Sequence, residues 1–441
     1  MDNKQKKQFY KKIEDKSLWF CPLPFSHVFS SLSGRYAPCY DSHQLYFDKN
    51  GERIRGIGHH VNNTSPREWY ESEFMNRLRG EMLREDFNKE YLSRVCEGCW
   101  KQEEKYGKSD RMKYVDQILS DKFDNKVPEL LRTVQEFIDY EKIDLKERIL
   151  DIKLKIFGNA CNLDCYMCTP RSASTRTASL KKLDKIYDPD LDPSDGEKMN
   201  TLKYDDDAYL DQIAEIAPYI RSIKIIGGEP LVMKNHYKLL EKLSITGYSE
   251  GINLIYKTNL SVFDMEGYNF KNYFDSFREF VMKVSIDTYG KYNDYIRKKS
   301  DWDDLIHNLQ IMRNRKNARV NVHSVISMLT VLTYDKLKKY LTENNIDHTY
   351  YILEHPKILH VKHLPYSIKQ KLIVKYEGYQ NIQNALKQEG DQKTFVTAIE
   401  YCLALDKNHG HNLFELHPEL ESYYYEAKAE IEENKHENIL R

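Results

Sequence analysis

The chain has 441 residues, 40% of them hydrophobic and 31% charged, with a formal net charge of −1. That length suffices for a large domain plus a smaller one, and the charge balance gives no clear case for a nucleic-acid partner or an anionic membrane. The amino terminus, MDNKQKKQFYKKIEDKS, lacks the apolar core of a signal peptide, and no stretch approaches the ~20 apolar residues that cross a bilayer, so a cytoplasmic location is expected.

Residues 1–120 read as a first unit. FSHVFSS and YAPCY flank a turn at Ser33 and Gly34, and QLYFDKNGERIRGIG predicts a second hairpin turning at Asn50 and Gly51. From 67 to 106 the pattern becomes helical and charged, interrupted by CEGCW. A connector over 121–149 contains a helix near 127–140. From Asp151 the rhythm changes to alternating strands and helices. The strands are DIKLKIF, SIKIIG, INLIYKT, VMKVSID, RVNVHSVIS and a last one near Tyr350. Helices are expected at 209–217, 237–243, 302–312 and 334–341. Repeated strand–helix units with β-branched strands imply an α/β fold with a parallel sheet. Six units are too few for a closed eight-stranded barrel, so a partial (β/α)6 barrel is expected over 150–355. The polar stretch 172–203 reads as a long excursion over the barrel mouth. A helical extension over 356–441 completes the chain, with helices at 369–386, 393–405 and 420–434.

In a reducing compartment, clustered cysteines more often bind metal or do chemistry than form disulfides. FGNACNLDCYMCTP carries Cys161, Cys165 and Cys168 as C-x3-C-x2-C directly after the first barrel strand. Three thiolates on one loop can converge on a metal centre, and soft sulfur ligands suit iron–sulfur clusters or zinc. A [4Fe–4S] cluster usually takes four cysteines, so three leave one iron open. A zinc knuckle with a distant fourth ligand is the alternative.

This motif, at the end of the first strand, resembles the signature of radical S-adenosylmethionine (radical SAM) enzymes. The resemblance implies a catalytic [4Fe–4S] cluster whose free iron is chelated by the amino and carboxylate groups of SAM. Reduction of that cluster cleaves SAM to methionine and a 5′-deoxyadenosyl radical, which abstracts hydrogen from substrate. The likeness continues along 151–330. IIGGEP, with Gly227, Gly228, Glu229 and Pro230, resembles the family's GGEP motif beside the SAM amino group. KTNL resembles the family's TNG, with Leu260 in place of the glycine. In SIDT, Ser285 and Asp287 resemble the polar pair that approaches the SAM ribose, and Arg297 resembles an arginine that pairs with its carboxylate. Met167 stands where the family often has an aromatic residue against adenine, and Tyr166 is one position early. All of these fall at carboxyl ends of successive strands, the face where parallel α/β barrels build active sites.

Cys21, Cys39, Cys96 and Cys99 form a second set. FCPLPF, APCY and CEGCW resemble the amino-terminal auxiliary-cluster module of some radical SAM proteins, related to twitch and SPASM domains. The resemblance implies a second [4Fe–4S] cluster; an all-thiolate zinc site is the alternative. Cys402 lies in the helical apolar run IEYCLAL and is expected to be a small buried hydrophobe. His355, His360 and His363 share no metal-like register with any cysteine motif. The auxiliary resemblance points to a peptide or protein substrate, with a small molecule or nucleotide as the alternative and a non-catalytic metal-bearing partner-binding module as a different class. An external one-electron donor such as flavodoxin or ferredoxin is implied.

Overall fold

The computed structural model describes residues 3–40, 42, 59–119, 126–144, 150–200 and 206–440. One sheet organises the chain. Its strands are β1 (His27–Ser30), β2 (Tyr36–Ala37), β3 (Leu150–Leu154), β4 (Ile220–Ile225), β5 (Asn253–Thr258), β6 (Glu279–Ser285), β7 (Ala318–Ile326) and β8 (Asp347–Ile352). They lie in the order β8-β7-β6-β5-β4-β3-β1-β2. Every pairing from β3 to β8 is parallel, as the alternation of strands and helices requires. The expected six barrel strands are all present.

The hairpin at Ser33 and Gly34 forms, with β1 antiparallel to β2 and Gly34 at φ +70°. It does more than fold on itself. Strand β1 pairs parallel with β3, so the amino-terminal unit extends the barrel sheet. Sequence periodicity cannot show this pairing, because β1 and β3 are separated by the whole first unit. The hairpin predicted around Asn50 lies outside the described residues.

Alternation along the strands separates two faces. In β6, Phe280, Met282 and Val284 are buried, whereas Lys283 and Ser285 are half-exposed. Helices cover the apolar face. We label α1 (Ser174–Leu180), α2 (Lys234–Ile245), α3 (Trp302–Arg313), α4 (Tyr334–Glu343) and α5 (Gln392–His409). Helix α3 is capped by Asp301, which accepts from the Asp304 amide, and it buries Leu305, Leu309 and Met312 at helical spacing. Each such side chain stabilises the fold by roughly 1.5–3 kcal/mol relative to exposure.

Two expectations change. The excursion at 172–203 contains helix α1, a 3-10 turn at Pro189–Leu191 and a helix at Ser194–Asn200. The expected helix at 369–386 is two, Tyr366–Lys375 and Gln380–Lys387, broken at Gly378 with φ +84°. Cys402, in α5, is fully buried as expected.

Leu260 reveals why a glycine suits the turn after β5. Its φ is +53°, in the left-handed region, and its side chain is fully buried. A left-handed Leu costs roughly 1–2 kcal/mol, but removing a buried Leu side chain costs about 3–5 kcal/mol. Burial therefore outweighs strain. Leu260→Gly is expected to lower unfolding stability by roughly 2–4 kcal/mol in denaturant titration; a neutral or stabilising change would mean that backbone strain dominates.

Candidate active site

The loop from β3 to α1 carries Cys161, Cys165 and Cys168. It is held from three directions. Asp164 and Cys165 pair antiparallel with Arg297 and Lys298, and the Tyr166 amide donates to the Ile296 carbonyl at 2.9 Å. The loop after β4 presses on it from the sheet side: the Glu229 amide donates to the Ala160 carbonyl at 2.7 Å. A Cβ on Gly228 would lie 2.0 Å from that carbonyl oxygen, and one on Gly227 would lie 2.9 Å from the Gly158 oxygen. Gly227 and Gly228 thus admit the cysteine loop itself, a close approach that only glycine permits here.

Glu229 is fully buried and engaged by the chain. Its carboxylate accepts from the Thr258 hydroxyl at 2.7 Å, the Asn259 amide at 2.5 Å and the Leu231 amide at 3.1 Å. Burial pushes this carboxyl up to about 7 against those donors. Pro230 follows, buried at the start of a 3-10 turn. Asn259 completes the third hold: its Nδ2 donates to Asn162 Oδ1 at 3.0 Å and lies 3.9 Å from Cys161 Sγ. A role for Asn259 could not be read from KTNL alone; the structure provides one.

Asp287 and Arg297 meet. Arg297 Nη2 lies 2.7 Å from Asp287 Oδ2, and Nη1 lies 3.9 Å from Cys165 Sγ. Asp287 also accepts from the Val325 amide at 2.8 Å. Burial raises the Asp287 carboxyl, opposed by the guanidinium beside it. Arg297 Nε is buried with no hydrogen-bond partner among the described residues. Ser285, at the end of β6, is half-buried on the same alternating face as Lys283. Met167 and Tyr166 are both buried, and the Tyr166 hydroxyl donates to Asp406 Oδ1 at 2.7 Å. Tyr166 is therefore tied to α5.

Sequence reasoning missed the polar network behind this loop. Arg176 of α1, fully buried, donates to Asp164 Oδ1 at 2.7 Å, to the Tyr401 hydroxyl at 2.5 Å and to the Cys168 carbonyl at 3.3 Å. His409 Nε2 lies 3.0 Å from Asp164 Oδ2. Burial alone would raise Asp164, but His409, Arg176 and Ser179 outweigh it and hold the carboxyl down near about 2. The only sequence signal was a charged residue directly beside Cys165.

The second cysteine set also comes together. Cys21, Cys39, Cys96 and Cys99 line one small pocket, beside Trp19, Arg111 and Tyr114. Arg111 is anchored by Glu103 at 2.6 Å and by the Phe20 carbonyl at 2.8 Å. Among the described residues, no three His, Cys, Asp or Glu side chains converge tightly enough to hold a single metal ion. An iron–sulfur cluster does not require that, because its cysteines bind different irons.

A cavity of about 970 Å³ opens between the barrel strands, the amino-terminal unit and the carboxyl-terminal helices. Asp110 and Tyr114 line both this cavity and the four-cysteine pocket. Its barrel wall includes Lys153, Lys224, Lys257, Lys283 and His323, a second group overlooked in the sequence. The available signal was a basic residue inside each otherwise apolar strand.

The donor set fits an iron–sulfur cluster with one open iron. Three thiols share one loop, and Asn259 and Arg297 supply N–H groups toward two of the sulfurs. Burial pushes the Cys161 thiol up to about 12, so it is no poised free nucleophile, and metal coordination is the condition that ionises it.

No curated protein matches the chain. Among solved structures, hexahistidine-tagged anSMEcpe with bound AdoMet is 16% identical, with 54% of this chain and 63% of that one covered and a TM-score of 0.35. SuiB of Streptococcus suis bound to the precursor peptide SuiA is 14% identical, covering 67% of this chain and 56% of that one at a TM-score of 0.34. SuiB bound to S-adenosylmethionine is 11% identical, covering 70% and 64% at a TM-score of 0.33. The chain thus spans about three fifths of the length of these structures. Residues 155–343 match the model of the radical SAM superfamily, which takes in the cysteine loop, the GGEP turn and Arg297. Over that segment the chain is similar to the radical SAM superfamily, whose cofactors are a [4Fe–4S] cluster and SAM.

Proposed function

We propose that the chain reductively cleaves SAM at a [4Fe–4S] cluster on Cys161, Cys165 and Cys168, and abstracts hydrogen from a peptide or protein side chain. The observation that carries this reading is the cysteine loop, clamped at the carboxyl rim of a parallel sheet. When bound, cluster and SAM together supply the 5′-deoxyadenosyl radical. The chain's own residues hold and orient. Arg297 keeps one nitrogen on Asp287 and retains an unpartnered Nε, a donor suited to the SAM carboxylate. Ser285 and Asp287 are proposed to approach the ribose, and Met167 to border the adenine. Gly227, Gly228, Glu229 and Pro230 are assigned to shaping the amino-group side, with Glu229 acting through Thr258 and Asn259.

Cys21, Cys39, Cys96 and Cys99 are proposed to hold an auxiliary [4Fe–4S] cluster. Their shared pocket supports a common metal centre. The peptide class of substrate rests on the likeness of this cysteine set to auxiliary-cluster modules. Electrons are proposed to come from an external one-electron donor such as flavodoxin or ferredoxin, in the cytoplasm. No helix among the described residues is long and apolar enough to cross a membrane.

Anaerobic reconstitution is expected to give about eight iron atoms per chain, the content of two [4Fe–4S] clusters; tightly bound zinc with iron for one cluster would refute the auxiliary assignment. Replacing Cys161, Cys165 and Cys168 together by Ala is expected to abolish 5′-deoxyadenosine formation from SAM, and unchanged formation would refute the catalytic assignment. Cys96→Ala with Cys99→Ala, if the protein remains folded with one cluster, is expected to retain slow substrate-free SAM cleavage and lose substrate turnover. Normal turnover would make the auxiliary set dispensable, whereas loss of SAM cleavage would make it an electron path to the catalytic cluster.

A further inference from the structure

The barrel interior carries a charge pattern that SAM cleavage does not account for. Lys153 of β3, Lys224 of β4, Lys257 of β5, Lys283 of β6 and His323 of β7 line the 970 Å³ cavity. They alternate with core residues on the same strands: Ile152, Ile223, Tyr256, Met282 and Val322 are all buried. The period of two turns the basic residues together onto the inner face.

Register brings them against one another. Lys153 is the cross-strand partner of Lys224, and Lys257 that of Lys283. Lys224 pairs with Ile255, which makes Lys257 its diagonal neighbour on the same face. Like charges directly opposite each other destabilise a sheet. Burial, with Lys283 and Lys257 alongside, pushes the Lys224 ammonium down to about 8, and Lys257 and Lys283 are lowered as well.

Asp110 of the cavity wall partly offsets the charge on Lys224. Lys153 lies 3.1 Å over the Tyr40 ring. Among the described residues, Lys224, Lys257 and Lys283 make no ion pair with a carboxylate. The acids of the wall are Asp110 and Glu354. Asp110 is engaged by Lys113 and by the Tyr40 hydroxyl, and Glu354 is exposed. A merely solvated interior would need polar residues of either sign. Four lysines gathered on one inner face, against the cost of mutual repulsion, suit an anionic occupant. The volume is that of a pocket for an extended ligand and exceeds a simple ion.

We propose that this cavity binds the substrate through a clustered oxyanion, a set of carboxylates or a phosphate group, seated on Lys224, Lys257 and Lys283. That the occupant is the substrate rests on the radical SAM reading above; the anion site itself rests on the lysines alone. Lys257 directly precedes Thr258, which holds Glu229 and through it the cysteine loop. An anion on Lys257 would thus sit one strand residue from the rim that Thr258 and Glu229 tie to the cysteine loop. A carboxylate-rich peptide segment and a phosphorylated group share the chemistry.

The test is isothermal titration of the anaerobically reconstituted full chain with two probes at fixed ionic strength, a tetraglutamate peptide and inorganic pyrophosphate. Saturable binding of at least one is expected, weakened on the order of tenfold or more in the Lys224→Gln, Lys257→Gln, Lys283→Gln variant. The corresponding triple Arg variant is expected to bind where the Gln variant does not. Lys316→Gln, Lys371→Gln, Lys407→Gln, at exposed positions elsewhere, is expected to bind as the parent does. Binding of tetraglutamate alone identifies peptide carboxylates, of pyrophosphate alone a phosphorylated group, and of both an oxyanion site that accepts either. If the triple Gln variant does not fold, Lys257→Gln, at an exposed lysine, carries the same comparison. Binding of neither probe, or equal binding by parent and Gln variants, overturns the proposal. SAM cleavage measured on the same samples separates the two claims: lysine-dependent binding without cleavage refutes the radical reading and leaves the anion site standing.

Discussion

Glu229 sits where three loops meet, and the geometry of the site depends on how its polar groups are shared out. Its amide donates to the cysteine loop at Ala160, while its carboxylate is bound by Thr258 and Asn259 after β5 and by Leu231 in its own turn. The loops after β3, β4 and β5 are thereby fixed relative to one another. The two preceding glycines make the arrangement possible, since side chains there would collide with the carbonyls of Gly158 and Ala160. Burying a carboxylate is costly, and three donors on this carboxyl offset part of that cost. The GGEP turn is thus a clamp on the cysteine loop.

A second layer of constraint comes from the far end of the chain. Tyr401, Asp406 and His409 of α5 bind Arg176, Tyr166 and Asp164, so the carboxyl-terminal extension holds the back of the same loop. Arg297 closes the front through its backbone pairing with Cys165 and its ion pair with Asp287. The thiols are consequently positioned by elements from four distant parts of the chain. Such over-determination fixes the spacing of the three thiols, as the proposed cluster would need.

Much of this was legible in the sequence, for identifiable reasons. Apolar alternation and β-branched residues marked β3 to β8, and the C-x3-C-x2-C spacing marked the loop, because both signals are local. Leu260 was legible as a departure from glycine, but its left-handed backbone and full burial were not, since a single sequence does not report φ. Long-range pairings were silent. Neither the β1–β3 ladder nor the bond from Tyr401 to the Tyr166 carbonyl at 2.8 Å has a periodic signature. The inner lysines were visible as letters in IKLKI, IKII, YKTN and MKVS, but only strand register turns them into a cluster. Tyr166, one position before Met167, is bound by Asp406 of α5, a long-range partner that sequence cannot show.

The central claim is that one iron on the Cys161, Cys165 and Cys168 loop is left open for SAM. Electron paramagnetic resonance of the reduced, reconstituted protein tests it directly, with SAM carrying nitrogen-15 in its methionine amino group. The account predicts that SAM changes the spectrum of the reduced cluster and that the labelled nitrogen contributes a resolved hyperfine coupling, as expected for amino-group ligation to the open iron. A cluster spectrum that SAM leaves unchanged, with no coupling to the label, would contradict it.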